Sequence, residues 1–138
     1  MLPLSDRSFF DTTILIYTIS LGDPRALIAE KLLAKGGYIS VQVLNEFASV
    51  GRRKLNMSWK EISDALAAAR ALCEPVAPIS LKTHETALEI AAHFGYRIYD
   101  AMIVAAALEA NCTILYTEDL QNGQKIGALT IRNPFAIR

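Results

Sequence analysis

In DAMIVAAALEANCTILYTED, Asp100 to Asp119, the sequence declares its architecture. From Ala101 to Ala110 it carries a single charge, Glu109. A helix on a protein surface shows a polar stripe at a period of 3.6 residues. This one has none, so it is a helix buried on all sides. It runs directly into Thr113–Tyr116, a β-branched and aromatic run bounded by Asn111 and by the polar string Thr117-Glu118-Asp119. That run reads as a strand. A buried helix feeding a short strand is half of a βαβ unit.

The same grammar repeats upstream. Arg7–Phe10 reads as a strand meeting Asp11-Thr12-Thr13, and apolar residues resume at Ile14–Tyr17. Pro24–Ala34 reads as a helix with Asp23 as its cap and Gly36-Gly37 as its end. Tyr38–Val41 reads as a strand and Gln42–Arg53 as a helix. Ser58 and Glu61 form a capping box opening a helix to Leu72. Pro75 and Pro78 bracket an extended piece, Val76–Ile79. Ser80 caps a helix through Phe94, stopped by Gly95. Leu129–Ile131 is a last short strand, broken by Asn133-Pro134. Short strands alternating with helices imply a parallel sheet covered on both faces. No repeat or linker interrupts the pattern, so residues 1–138 form one domain.

Composition excludes several classes. Lys+Arg and Asp+Glu both number 14, giving zero formal net charge, so this is not a basic protein that coats nucleic acid. Acting on nucleic acid would require local cations and metal ions. A hydrophobic share of 52% argues against disorder. The two cysteines, Cys73 and Cys112, lie in apolar surroundings and read as reduced thiols of a cytoplasmic protein. Met1–Ser8 lacks the basic and long apolar regions of a signal peptide. No apolar run approaches the ~18 residues of a membrane span.

In open parallel sheets, ligands bind beyond the carboxyl ends of the strands. Asp11 follows the first strand, Glu46 lies one turn into the helix after the second, and Asp119 follows Thr113–Tyr116. Asp100 reaches the same crevice if its buried helix crosses it. Each acid has a plainer reading: Asp11 and Asp100 as helix caps, Asp119 as a turn residue before Asn122-Gly123. Glu46 shares a helix face with Val43, Phe47 and Val50, where a carboxylate is costly unless paired. Four close carboxylates raise one another's pKa values, and a divalent cation removes that penalty. Oxygen-only ligands point to Mg2+ or Mn2+ rather than Zn2+, and such ions serve phosphodiester hydrolysis.

The segments Phe9-Phe10-Asp11-Thr12, Val43-Leu44-Asn45-Glu46-Phe47, Tyr99-Asp100-Ala101-Met102-Ile103-Val104-Ala105-Ala106-Ala107 and Leu115-Tyr116-Thr117-Glu118-Asp119-Leu120 resemble the four acidic motifs of PIN-domain nucleases. They are most similar to the VapC-type ribonuclease toxins of toxin–antitoxin pairs. The tail Gly123–Phe135 resembles that family's last strand. The resemblance implies an α/β/α three-layer sandwich with a four- or five-stranded parallel sheet. It implies an Mg2+- or Mn2+-dependent endoribonuclease whose metal-binding acids are Asp11, Glu46, Asp100 and Asp119. It further implies a homodimer and a small antitoxin partner threaded into the active-site groove. Thr12 matches the family's small hydroxyl residue, and Thr117 matches one that orients Asp119 or a water. Thr13 stands where many members have asparagine and lacks its amide.

Arg52, Arg53 and Lys54 either complement a helix C-terminus or grip RNA phosphates. His84 and His93 have no acid or nucleophile beside them, against histidine-based ribonuclease chemistry. Trp59 reads as a packing or dimer residue, and Tyr99 as core or groove wall. Thr13 also removes the second aspartate of a haloacid-dehalogenase-like site, and no phosphate-loop, dinucleotide or hydrolase-elbow motif occurs. Two alternatives stay open: an RNA-processing PIN nuclease outside any toxin pair, and a catalytically silent PIN-like binding module.

Overall fold

The computed structural model describes residues 7–136. The first six residues, part of the segment read for a leader, lie outside it. In chain order the elements are β1 (Ser8–Phe10), α1 (Thr12–Thr18), α2 (Arg25–Ala34), α3 (Val41–Arg53), α4 (Trp59–Leu72), α5 (Leu81–Phe94), α6 (Ile98–Glu109), β2 (Ile114–Tyr116), β3 (Lys125–Ile126) and β4 (Leu129–Arg132).

The sheet order is β1-β2-β4-β3. β1 and β2 are parallel, with Phe9 opposite Leu115 and Phe10 opposite Tyr116. β2 and β4 are also parallel. Successive strand residues point to opposite faces, yet Phe9 and Phe10 are 0% and 1% exposed. Both faces of the sheet are therefore covered, as a parallel sheet requires. α6 behaves as its composition demands, with every residue from Ala101 to Ala107 buried.

Three details depart from the sequence reading. β3 is antiparallel to β4, so the sheet is parallel only up to its last strand. The turn at Gly127, with φ +58°, folds the chain back at once and leaves no room for a crossover. Tyr38–Val41 is not a strand either. It makes single parallel bridges, Tyr38 to Phe9 and Ser40 to Ala77, and then Ser40 caps α3 by accepting the Val43 N–H at 3.3 Å. That segment lies tight on β1: a Cβ on Gly37 would come within 2.5 Å of the Phe10 ring. Finally, Pro24 rather than Asp23 precedes α2, although Asp23 still accepts the Arg25 N–H at 2.9 Å. The capping box of α4 and the left-handed Gly95 stop of α5 form where expected.

Candidate active site

β1 and β2 end side by side, and the ladder continues past them. The Asp11 N–H donates to Tyr116 O at 3.0 Å, and Thr117 N–H donates to Arg132 O at 3.0 Å. Asp11 and Thr117 are thereby neighbours, and the Thr117 hydroxyl donates to Asp11 Oδ2 at 2.6 Å. The same hydroxyl accepts the Asp119 N–H at 3.1 Å. Thr117 is fully buried and serves as a pin between two acids. Asp11 also caps α1, its Oδ1 accepting the Thr12 N–H at 2.6 Å. The cap reading and the cluster reading of Asp11 both describe the molecule.

Glu46, Asp100 and Asp119 line one crevice of about 830 Å3, together with Thr12 and Thr13. Asp11 sits behind this lining, only 4% exposed. Burial pushes its carboxyl up to about 7, against the pull of its two hydrogen bonds, and the charges of Asp119 and Glu46 add to the rise. Asp119 is raised as well, first by burial and then by Asp100, Glu118 and Glu46. The acids therefore feel one another's charge. Among the described residues no three His, Cys, Asp or Glu side chains stand close enough to cage an ion by themselves. An all-oxygen cluster of this openness suits a cation that keeps much of its water, as Mg2+ does.

Glu46 differs from its sequence reading. It is half-buried at the crevice, not sunk among Val43 and Phe47. Its Oε2 accepts the Thr12 hydroxyl at 2.9 Å and its Oε1 accepts the Gln42 amide at 3.2 Å. The buried charge that needs a partner is Asp11. Asp100 lies in the first turn of α6, past the cap Arg97, so it is not a capping residue. Its Oδ2 accepts from Arg97 Nε at 3.1 Å. Gln42 and Arg97 escaped the sequence reading, yet helical spacing of four and three from the acids could have named them.

A second polar group escaped it with no such signal. Glu118 turns away from the crevice, accepting from the Tyr17 hydroxyl at 2.5 Å and from Arg25 at 3.2 Å. Arg25 lies over the Tyr17 ring and pairs with Asp23. The Thr13 hydroxyl accepts the Glu118 N–H at 3.4 Å. Of the cations, Arg53 and Lys54 line the crevice and Arg52 does not. Arg52 packs over the exposed Trp59 ring and donates to Met57 O at 2.9 Å. Cys73 and Cys112 are free, buried thiols, and burial pushes them up to about 11 and 12. His84 and His93 are exposed. No helix of the described residues is long and apolar enough to cross a membrane.

A family profile described as "PIN domain" matches residues 8–124, and the chain belongs to that family. Its fold is shared with solved proteins of toxin–antitoxin systems. A toxin–antitoxin complex from Klebsiella pneumoniae is 20% identical at a TM-score of 0.69, covering 94% of this chain and 99% of that one. A DNA-bound VapBC from Salmonella typhimurium is 19% identical at 0.68, covering 93% and 98%. A sarcin–ricin-loop-cleaving VapC toxin from Mycobacterium tuberculosis is 23% identical at 0.64, covering 81% and 91%. The sequence matches none of the curated proteins.

Proposed function

We propose that the chain is a metal-dependent endoribonuclease and the toxin of a type II toxin–antitoxin pair. The observation that carries the reading is the gathering of Asp11, Glu46, Asp100 and Asp119 at the carboxyl ends of β1 and β2, with three of them on one open crevice. Asp11 supports it most directly. A carboxyl that burial holds near neutrality is poised to ionise once a cation arrives.

In this reading Glu46, Asp100 and Asp119, with Asp11 behind them, would hold Mg2+ or Mn2+ largely through the ion's own waters. The cation supplies positive charge against the phosphate and the developing oxyanion. The chain's own residues set the stage. Thr117 aims Asp11 and fixes the turn carrying Asp119. Thr12 and Gln42 orient Glu46, and Arg97 orients Asp100. Thr13 lines the crevice and can hold a water there. Arg53 and Lys54 offer the local cations that a chain of zero net charge needs to hold RNA. A small antitoxin occupying this crevice would block it, and the neighbours that were solved as toxin–antitoxin assemblies support such a partner. The buried thiols fit a reducing, cytoplasmic setting.

The test is cleavage of total cellular RNA by the purified chain with Mg2+, Mn2+ or EDTA, beside Asp100→Asn. Discrete cuts are expected that need metal and vanish in the variant. No cleavage with either metal would replace the nuclease by a binding module of the same fold.

A further inference from the structure

Of the two places open to Tyr99, core or groove wall, the structure gives the groove wall. It is 61% exposed, on a helix whose next turns are wholly buried. It lines the crevice beside Asp100, together with Arg53, Lys54 and Arg97. Among the described residues no aromatic ring or cation stacks on it and it takes no part in the core. The other exposed aromatic of similar size, Trp59, already carries Arg52 over its ring. Tyr99 alone of the two presents a free face, and it does so at the rim of the acidic cluster.

We infer that Tyr99 is a stacking subsite for the nucleobase of a nucleotide next to the scissile phosphate of single-stranded RNA. The inference rests on the ribonuclease reading and adds the form of the substrate to it. Tyr99 and Asp100 are consecutive on α6 and both line the crevice, so a strand whose phosphate lies at the acids passes the Tyr99 ring. The charges complement a strand: acids that would take the phosphate through a cation, and Arg53 and Lys54 on the same crevice for neighbouring phosphates. A base in a duplex is already stacked on its neighbours and cannot lie on a side chain. The subsite therefore selects unpaired or splayed nucleotides, without reading their edges.

The experiment measures binding of two fluorescent probes by the full chain in Ca2+, which fills oxygen sites. One probe is a random-sequence single-stranded RNA, and the other is a ribose-phosphate backbone of equal length without bases. Tyr99→Leu is expected to weaken RNA binding about tenfold, the loss of one stacked base. Tyr99→Phe should stay within about twofold of the parent, and the baseless probe should bind all three alike. Since Tyr99 is exposed, the three proteins should melt together. Equal RNA affinity of Tyr99→Leu and the parent overturns the subsite while cleavage still supports the nuclease. So does an equal loss for both probes, which marks a structural role. A shift of Tyr99→Leu to a smaller sedimenting species with unchanged RNA affinity assigns the ring to a contact between chains and overturns the subsite. If the parent cleaves no RNA at all, the reading beneath it falls too.

Discussion

The crevice bearing Glu46, Asp100 and Asp119 and a second hollow of about 290 Å3 share a wall, and that wall is α1. Thr12, Thr13, Ile16 and Tyr17 face the crevice; Leu15, Thr18 and the helix cap Ile19 face the second hollow. The second hollow is lined by Leu33, Phe47, Leu66 and Leu72 and is almost wholly apolar. Two turns of helix thus divide the molecule by the 3.6-residue period. On one side the side chains hold charge in place at a cost to stability. On the other they bury hydrocarbon and supply the stability that offsets it. α3 repeats the division, with Glu46 on the crevice and Phe47 on the second hollow.

The two sides should therefore fail differently. The largest effect is expected on the crevice side. Asp119→Asn removes a carboxylate from the candidate metal site and should lower RNA cleavage about a thousandfold, the scale for losing one key electrostatic group. It should leave the melting temperature in EDTA unchanged or higher, since burial and neighbouring acids already strain the parent. Cleavage within tenfold of the parent would remove Asp119 from the site.

On the apolar side the order reverses. Leu15 is 2% exposed, and Leu15→Ala should cost about 2–5 kcal/mol in denaturant unfolding. The folded fraction should cut RNA at close to the parental rate, because Leu15 faces away from the acids. A specific activity that collapses while the protein stays folded would show that α1 transmits strain across its own width.

How much of this division was legible in sequence follows from which forces are local. The places of Asp11 and Asp119 just past their strands, the capping box at Ser58 and the buried α6 are each set by spacing and composition within a single segment. So was the crevice, since a strand's carboxyl end fixes where its next residue lies. The resemblance to PIN nucleases added the grouping of Asp100 with the rest, which its own helix did not reveal. What escaped was decided between segments. Thr12 takes Glu46 away from the apolar stripe, and Tyr17 and Arg25 draw Glu118 out of the crevice. β3 is set by one turn and has only two residues to announce it.

A pH series sharpens the contrast next. The Asp11 carboxyl has a folded pKa of about 7 against an ordinary 3.8, so the folded state binds the extra proton between those values. Stability must then fall as pH rises through that window, with no penalty below it and the full penalty above. In EDTA the melting temperature should drop on the order of ten degrees from this group between pH 4 and pH 8, less whatever other groups contribute. Asp11→Asn should flatten that slope. Millimolar Mn2+ should restore the parent at high pH, since the cation binds the folded, ionised site. A parent slope identical to that of Asp11→Asn would mean that the carboxyl does not titrate there.

The smallest effect is expected at Tyr17, on the crevice side of the same helix as Leu15. Its ring stands edge-on to Phe135 with centroids 4.8 Å apart, and it carries Arg25 on its face. Tyr17→Phe keeps both contacts and deletes only the hydroxyl that donates to Glu118. Glu118 retains Arg25 as a partner, so no buried acceptor is orphaned. A single hydrogen bond of this kind contributes about 1 kcal/mol. Chemical denaturation should register that much, well below the Leu15→Ala loss two residues away. A loss as large as that of Leu15→Ala would mean that the two faces of α1 do not divide stability from chemistry, and that the Tyr17–Glu118 contact helps hold the turn carrying Asp119.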